Sequence, residues 1–538
     1  MGARYSSYRN LDRFLEQTND ANIGLIVWPG GTLAETRDDR FGFEYEGLQS
    51  EAFNKPNLSE IMQTAIDQEA ALSVILPTVR YVGDHETLVA ELNGFLTELL
   101  SGDYGALPEK MIFEVGSEYY AHFSGDGTNS AAAEYGEIAD IMIAQIAAAL
   151  ADPNINLVGA DIDIAVQAGK TLIDDEAIRA ELALENLQHA DMIIHHRFAY
   201  RAEGVDRRID ELETILAAWE EDAGAEAPDL FVSAWNTITL PRNEVLNMFL
   251  DENPEMDAED VDLEGRTTTT FEDYWQSILG EAAYGQEHAV YMLESFASYA
   301  EVGMDLSAVY GFDLIHSGRL SFKGADNQHY DFAGGEMMKM IYESVGGTHV
   351  LSTDQDYSRE DPVTVYAFEN DDKLVVFLAA GKDAPGEVDL QMEGLGETYL
   401  EVWGDQLTTE QLEDWHAVFG IPDNEEVDES NEAEGYKLGV REAADISQSD
   451  DGIMVTLDED FGVVRLAFAK TEAGAEEIAS WSEGNELDLE VPTVIPILPS
   501  IEILADTEEE HDFGDDLALV AEATSFGGGL LFLLLLLL

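Results

Sequence analysis

Residues 86 to 120, ETLVAELNGFLTELLSGDYGALPEKMIFEVGSEYY, contain one complete unit of the repeat that decides the fold. In ETLVAELNGFLTELL (86 to 100), apolar residues recur at spacings of three and four, which predicts a helix with one buried face. In KMIFEVGSEYY (110 to 120), a short apolar run ends in polar and aromatic residues, which predicts a buried strand. The unit therefore consists of a helix that covers a sheet and leads into the next strand.

The same unit recurs along the first 350 residues. The apolar runs predicted as strands are IGLIVWPGG (23 to 31), ALSVILPTVRY (71 to 81), KMIFEVGSEYY (110 to 120), NLVGADIDIAVQAG (156 to 169), DMIIHHRFAY (191 to 200), DLFVSAWNTI (229 to 238) and DLSAVYGFDLI (305 to 315). Continuous apolar strands with covering helices indicate a parallel sheet buried on both faces. Because no Gly-rich phosphate loop follows any strand, a (β/α)8-type TIM barrel over residues 1–350 is favoured over an open doubly wound sheet.

The start of the chain does not show the expected first strand. The sequence MGARYSSYRNLDRFLEQ is interpreted as an amphipathic helix that begins almost at once. A barrel with seven recognisable strands then needs an eighth strand before residue 1, unless the N-terminal region closes the ring in another way. The first strand is therefore predicted to be missing or atypical.

The pattern changes after residue 350. Short alternating runs such as PVTVYAFEN, KLVVFLAAG and GVVRLAFAK, separated by turn residues, predict an antiparallel β-sandwich over residues 351–480. Residues 481–538 are rich in Pro, Asp and Glu and end in FGGGLLFLLLLLL, and they are predicted to form an acidic linker and a tail. The apolar end is shorter than the roughly 20 residues that span a bilayer, so we interpret it as a functionless extension, a secretion signal, or a membrane or self-association tail.

The charge balance limits the partners. The 111 Asp and Glu residues against 26 Lys and Arg give a formal net charge of -85, which disfavours nucleic acid and anionic membranes. The chain has no cysteine and no apolar run of signal-peptide type near its start. This composition resembles that of bacterial type I secretion substrates, so an extracellular or cell-surface location by a signal-peptide-independent route is expected. Membrane contact is expected only through the Leu-rich tail.

The residues that end each predicted strand are the candidates for function, because barrel active sites lie at the C-terminal ends of the strands. Four of these strand ends carry motifs in a recognisable order: IVWPGGTLAE, FEVGSEYY, IIHHRFAY and VSAWN. Together they resemble the clan A glycoside hydrolases of the arabinofuranosidase, xylosidase and glucuronidase type. Those enzymes have similar motifs on strands two, four, six and seven, and several of them carry a β-sandwich beside the barrel.

The resemblance implies roles for individual residues. Glu118 matches the acid/base, whose pKa could be raised beside Tyr119 and Tyr120. Ala234 stands where the nucleophilic glutamate is expected, and Ser117 stands where the family has an asparagine. The remaining residues predicted to contact substrate are Trp28, Glu35, Ser117, Tyr120, His195, Tyr200, Trp235, Asn236 and Tyr310. Only one of His195 and His196 can face the barrel interior, and His195 or its neighbour is predicted as a sugar-hydroxyl ligand.

Alanine at position 234 leaves three explanations open, since its methyl group cannot attack an anomeric carbon. The protein could be a carbohydrate-binding pseudoenzyme, an enzyme that recruits another carboxylate such as Glu35 or Glu114, or a form with a deliberately introduced alanine. No catalytic metal or other cofactor is predicted, because three convergent ligands at a known spacing are missing. The acidic run DENPEMDAEDVDLEG (251 to 265) lacks the glycine of a calcium loop, although structural Ca²⁺ remains compatible with it.

Two functions of different classes follow. The first is a secreted carbohydrate-active or carbohydrate-binding protein, whose partner is an oligo- or polysaccharide. The second is a non-catalytic structural or adhesive extracellular scaffold that keeps the barrel. Saturable glycan binding separates them.

Overall fold

The structure is a computed structural model of the chain. It describes residues 1–5, 11–18, 21, 23–36, 41, 56–124, 130–199, 203–224, 228–237, 242–254, 256, 271, 274, 284–312, 320–324, 328–351, 360–393, 399–411, 437–448, 452–483, 495–496, 518–523 and 531–532. The chain forms two compact units that interleave in sequence. The first comprises Met1–Ala199, Gly204–Ile238 and Ser298–Lys323, and the second comprises Tyr200–Glu203, Thr239–Ala297 and Gly324–Leu538.

The first unit contains a closed barrel of eight parallel strands that pair in sequence order. The strands are β1 (Gly2–Arg4), β2 (Leu25–Trp28), β3 (Ala71–Leu76), β4 (Met111–Val115), β5 (Ile162–Gln167), β6 (Met192–Ala199), β7 (Asp229–Thr237) and β8 (Met304–Val309). An apolar layer that includes Ile112, Ile194 and Phe231 fills the middle of the ring. The barrel interior is therefore a packed core, and side chains beyond this layer form the mouth.

The N-terminal residues close the ring, which corrects the prediction of a strand before residue 1. Gly2 and Ala3 pair with β8, and Ala3 and Arg4 pair with β2. A Cβ on Gly2 would come 2.2 Å from the Leu25 carbonyl oxygen, so this close approach requires glycine. The predicted helix begins only at Leu11. This strand was not predicted from the sequence because it is only three residues long and ends in an arginine.

Helices join the barrel strands, as the repeat predicts. They are α1 (Leu11–Thr18), α2 (Gly31–Thr36), α3 (Leu58–Asp67), α4 (His85–Ser101), α5 (Tyr119–His122), α6 (Ala131–Ala151), α7 (Leu172–Glu181), α8 (Leu184–Leu187) and α9 (Glu203–Ala223), with a 3₁₀ turn at Val79–Tyr81. Local signals set their ends: Asn57 and Glu60 form a capping box on α3, and Gly102 ends α4 with a positive φ of 88°. After β7 come α10 (Arg242–Glu252) and α11 (Gln286–Glu301), and β9 (Ser321–Lys323) follows β8.

The second unit contains two antiparallel sheets. Its elements are β10 (His329–Asp331), α12 (Ala333–Ser344), β11 (His349–Leu351), β12 (Val363–Glu369), β13 (Lys373–Ala380), β14 (Gly386–Glu393), β15 (Glu401–Gln411), β16 (Lys437–Ala443), β17 (Ile446–Gln448), β18 (Gly452–Leu457), β19 (Val463–Ala469), α13 (Glu472–Glu483), β20 (Ile495–Pro496), β21 (Ala518–Ala523) and β22 (Leu531–Phe532). One sheet has the order β11-β12-β13-β19-β15-β16, and the other has β17-β18-β14-β21-β22. Apolar residues of both sheets form one core, as in a sandwich.

Several sequence predictions fall partly outside the described residues. Most of the acidic run 251–265 and the last six leucines are among them. Within the segment predicted as a tail, β21 pairs with β14 over six residues. Within the described part of the chain, no helix is long and apolar enough to cross a membrane.

Candidate active site

The end of β4 presents Glu118 at the barrel mouth. Glu118 adopts a left-handed backbone conformation, with φ 51° and ψ 50°, at the start of α5. Its backbone N–H donates a hydrogen bond to the Gln167 side chain at the end of β5. A non-glycine residue in this conformation is strained, and such strain concentrates at functional sites. The side chain is 30% exposed, so the carboxylate can meet a ligand.

Two side chains hold the Glu118 carboxylate. His196 Nδ1 lies 3.3 Å from Glu118 Oε1, and the Tyr120 hydroxyl donates to the same oxygen at 3.3 Å. Burial raises the pKa of Glu118, but the hydrogen bond and charge of His196, the charge of Arg4 and the Tyr120 hydroxyl outweigh it and lower the pKa to about 2. The prediction of a raised pKa is therefore wrong. It considered only burial beside tyrosines and did not include these partners.

A β-bulge in β7 places residues 233 and 234 next to this pair. Ile194 pairs with Phe231, whereas His196 pairs with Ala234, so β7 has one extra residue between these two pairs. Such a bulge redirects side chains at the end of a strand. Ser233 Oγ contacts His196 Nε2 at 2.8 Å, and Ala234 is the register partner of His196. One imidazole ring thus links the Glu118 carboxylate to Ser233, the residue before the position where the resemblance expects a nucleophile.

A polar layer lies beneath the mouth and is built around Arg4. Arg4 Nη1 donates to the Ser233 carbonyl oxygen at 3.0 Å, and Nη2 donates to Ser117 Oγ at 3.2 Å. Arg4 Nη1 also lies 3.6 Å from Glu114 Oε2. Ser73 Oγ and Ser233 Oγ donate to the two Glu114 oxygens at 2.8 and 3.1 Å. The buried guanidinium therefore joins the ends of β4 and β7 from below.

Neither of the other predicted carboxylates is placed to attack a substrate. Glu35 is 2% exposed and accepts four hydrogen bonds, from the backbone N–H groups of Thr78, Val79 and Ser117 and from the Thr78 hydroxyl. Burial raises the pKa of Glu35, and these hydrogen bonds oppose the rise. Glu114 is fully buried beneath the mouth. Contrary to the predictions, Glu35 holds two loops together instead of touching a ligand, and Glu114 neutralises Arg4.

The structure separates the two adjacent histidines. His196 faces the mouth, whereas the ring of His195 packs edge to face against Tyr299, with 5.8 Å between the ring centroids. His195 therefore packs away from Glu118, and its neighbour His196, which the prediction also allowed, is the histidine that contacts Glu118. Alternation along β6 places His196 on the same side as Ile194 of the apolar layer.

Some of the predicted aromatic residues belong to the core. Trp28 is fully buried, and Trp235 is 1% exposed and packs against Tyr299 with 6.5 Å between centroids. Neither ring is open to a sugar face, so their predicted stacking role is corrected to packing. Tyr120 and Tyr310 are partly exposed, and Tyr200 lies outside the described residues.

Ser117 and Asn236 support the strand ends. Ser117 is 2% exposed, and its hydroxyl accepts from Arg4 while its N–H donates to Glu35. Asn236 donates to the Tyr310 carbonyl oxygen, and its Oδ1 accepts from the Thr237 N–H at 2.6 Å. Both residues hold backbone in place. Of the predicted site residues, Glu118 and Tyr120 are in contact at the mouth, and Ala234 pairs in register with His196, the neighbour that the prediction allowed beside His195. Arg4, which lies beneath them, was not predicted.

Replacing His196 by glutamine is expected to raise the pKa of Glu118 from about 2 toward its ordinary value of 4.5. Burial still disfavours the ionised form in this variant, while the main opposing interaction is gone. In the native protein the lowered pKa means that ionised Glu118 stabilises the fold above pH 4.5, and that this contribution is lost as the pH falls toward 2. Carboxyl ¹³C NMR titration measures the pKa, with Glu118→Gln assigning the signal. The control variant His85→Gln, at the first residue of α4, should leave the pKa of Glu118 unchanged.

The fold of the chain is similar to that of several solved glycoside hydrolases. No protein-family model matches this sequence, and no curated protein matches it. The structure is similar to a family 51 α-L-arabinofuranosidase from Bifidobacterium longum, with a TM-score of 0.56 and 10% identity over 87% of this chain and 95% of that one. It is also similar to a family 51 arabinofuranosidase from Xanthomonas axonopodis pv. citri, with a TM-score of 0.52 and 13% identity over 85% and 89% of the two chains. The predicted fold, a parallel (β/α) barrel followed by a C-terminal β-sandwich, is confirmed.

Proposed function

We propose that this protein binds a saccharide at the barrel mouth and does not hydrolyse it by the retaining mechanism. The observation that carries the proposal is the convergence of Glu118, Tyr120 and His196 around a strand end where residue 234 has only a methyl group. A carboxylate and a phenol are groups that bind sugar hydroxyls by hydrogen bonds, and the buried His196 ring holds the carboxylate in place. An aromatic ring beside them adds an apolar contact for the C–H face of a sugar.

Loss of hydrolysis follows from the charges. Retaining hydrolysis uses two carboxyl groups about 5 to 5.5 Å apart, one protonated and one ionised. Glu118, with a pKa of about 2, is ionised at neutral pH and has no proton to donate to a leaving group. Ala234 cannot attack carbon, and Glu35 and Glu114 are buried in structural networks. Of the three explanations for Ala234, a carbohydrate-binding pseudoenzyme agrees best with these contacts.

The composition supports an extracellular setting for this activity. A net charge of -85 keeps a protein soluble and suits salt-rich or cation-rich surroundings. Polysaccharides are accessible partners outside a cell, and type I secretion would deliver the chain without a cleaved signal. We therefore propose an extracellular or cell-surface location and an oligo- or polysaccharide partner.

Glycan binding tests the proposal. Isothermal titration calorimetry with arabino-, xylo- and glucurono-oligosaccharides is expected to give saturable binding to at least one of them. Glu118→Gln should weaken that binding about tenfold or more, because a charged hydrogen-bond acceptor is lost from the site. Glu109→Gln is the matched control, since Glu109 is exposed and precedes β4 at the opposite end of the barrel.

The outcomes separate the two candidate functions. Saturable binding that falls in Glu118→Gln and persists in Glu109→Gln supports a sugar site at the mouth. Absence of binding across the whole panel contradicts the proposal and favours the structural or adhesive scaffold. Binding that is insensitive to Glu118→Gln places the sugar elsewhere and contradicts the assigned site.

A further inference from the structure

An apolar groove lies among the helices that cover the barrel, between α7, α8 and α9. Its lining includes Leu172, Leu182, Leu184, Leu187 and Ile215. Leu182, Leu187 and Ile215 are buried, whereas Leu172 and Leu184 are exposed. Only seven large apolar side chains of the described residues are strongly exposed, and these two leucines are among them. Exposed apolar side chains that gather at one groove mark a binding surface.

The spacing of the lining residues shows that the groove follows two helix faces. On α7 the lining residues recur at spacings of three and four, as Leu172, Asp175, Glu176, Arg179 and Ala180. On α9 they also share one face, as Thr214, Ile215, Ala218 and Asp222. This second face is about 12 Å long, at about 1.5 Å per residue, which matches two turns of a helix. An amphipathic helix can therefore place successive apolar side chains against the groove.

Polar contacts hold the two walls of the groove together. The Asp175 carboxylate of α7 accepts from Trp219 Nε1 of α9 at 3.1 Å and from the Gly169 N–H at 3.0 Å. Its other oxygen accepts from Arg179 Nε at 2.8 Å, and Arg179 Nη1 also donates to Asp222 of α9. Because α7 and α9 are joined by these contacts, the groove is formed before a ligand arrives, which lowers the entropy cost of binding.

The lining of the groove is acidic. It contains the three carboxylates of Asp175, Glu176 and Asp222. Its only basic residue, Arg179, is paired with both aspartates. Three acids against one base leave two negative charges, and Glu176 is exposed and belongs to none of the ion pairs among the described residues. An apolar groove with an acidic edge is complementary to a helix whose apolar stripe is flanked by lysine or arginine.

We propose that this groove docks an amphipathic helix of a partner protein, with lysines or arginines beside its apolar stripe. A second copy of this chain does not have the required charge, because a chain with a net charge of -85 repels its own copies. The Leu-rich tail has an apolar surface but no basic residue to pair with Glu176. The inference is independent of the sugar site, so each can fail without the other.

Three synthetic peptides of about 15 residues, long enough to form a helix, test the groove. The first has leucines at spacings of three and four and lysines elsewhere. The second has the same composition in an order without that spacing, and the third has glutamate in place of lysine. Fluorescence anisotropy at physiological salt is expected to show saturable binding of the first peptide, about tenfold tighter than of the second, and no binding of the third. The second peptide measures the attraction of any cation to so acidic a chain.

Matched substitutions locate the bound helix. Leu184→Gln should weaken binding of the first peptide about tenfold, because an apolar side chain that becomes buried on binding is lost. Leu157→Gln is the control, since Leu157 is 65% exposed against 59% for Leu184 and lies outside the groove. Glu176→Gln should weaken binding several-fold, and this loss should shrink as salt is added.

Four results would overturn the inference. Equal binding of the first two peptides means that charge alone attracts them. Saturable binding that Leu184→Gln leaves unchanged places the helix elsewhere. A dimer in analytical ultracentrifugation that Leu184→Gln dissociates assigns the groove to a second copy of the chain. Tighter binding of the first peptide after removal of residues 530–538 assigns the groove to the Leu-rich tail.

Discussion

Replacing Ala234 by glutamate is expected to create retaining glycosidase activity. Ala234 is the register partner of His196, and His196 contacts the Glu118 carboxylate. A carboxylate at residue 234 would supply the attacking group, and its charge would raise the pKa of Glu118 from about 2 so that Glu118 can act as an acid. Removing a nucleophile from an enzyme costs many powers of ten in rate, so we expect kcat/KM on aryl arabinofuranosides, xylosides or glucuronides to rise on the order of a thousandfold.

Two controls isolate the role of the new carboxylate. Ala234→Gln has a similar size without charge and should give no gain. Adding Glu118→Gln to Ala234→Glu should abolish the gain, because the acid is then missing. NMR of the first product formed should show retention at the anomeric carbon. If Ala234→Glu keeps the native circular dichroism spectrum and is no faster than Ala234→Gln, residue 234 is not a nucleophile position.

A chemical rescue experiment tests whether residue 234 occupies a nucleophile position without a substitution in the protein. In this experiment a small anion such as azide takes the role of the missing carboxylate and attacks the anomeric carbon of an aryl glycoside, while the nitrophenolate leaves with the bonding electrons. Nitrophenolate is a leaving group that needs no proton from Glu118. Azide-dependent release of nitrophenolate, with a glycosyl azide as product, is expected. Release that does not depend on azide would indicate another nucleophile.

The barrel could be predicted because the same helix-and-strand pattern recurs along the sequence. Seven apolar runs and the helices between them agree on one architecture, and a parallel sheet buried on both faces has few alternatives. The placement of the four motifs follows from the same reasoning. The C-terminal ends of parallel barrel strands lie at one rim, so Glu118 and Ala234 were expected to lie together. In the structure, the ring of His196 contacts Glu118 and Ser233, and its backbone pairs in register with Ala234.

The missed features depend on contacts between distant parts of the chain. Gly2–Arg4 has too few apolar residues to show a strand pattern, and its pairing with β8 joins residues about 300 apart in sequence. The bulge in β7 is defined only against β6. The pKa of Glu118 depends on His196 and Arg4, which no local pattern brings near it. Burial of Trp28 and Trp235 was likewise undecided, because aromatic residues at strand ends serve in cores as often as in pockets.

Arg4→Met is expected to destabilise the barrel by about 3 to 5 kcal/mol, the usual effect of removing one partner of a buried ion pair. Arg4 is 4% exposed and Glu114 is fully buried, with 3.6 Å between Arg4 Nη1 and Glu114 Oε2. The substitution keeps the apolar stem but leaves the Glu114 carboxylate facing Ser73 and Ser233 without a positive charge. It also removes the donors to the Ser117 hydroxyl and to the Ser233 carbonyl. Ser117 and Ser233 directly precede Glu118 and Ala234 in the sequence. Urea unfolding followed by tryptophan fluorescence measures the loss.

A double-mutant cycle separates the charge effect from lost packing. Arg4→Met combined with Glu114→Gln should be more stable than Arg4→Met alone, because a neutral amide needs no counter-charge and can accept from one of the two serines through its oxygen while its NH₂ group donates to the other. Arg80→Met, a partly exposed arginine near Tyr81, should cost no more than about 1 kcal/mol. If Arg4→Met costs as little as Arg80→Met, or if Glu114→Gln fails to recover stability, the buried pair does not hold β4 and β7 together. The position of Glu118 at the barrel mouth would then need another support.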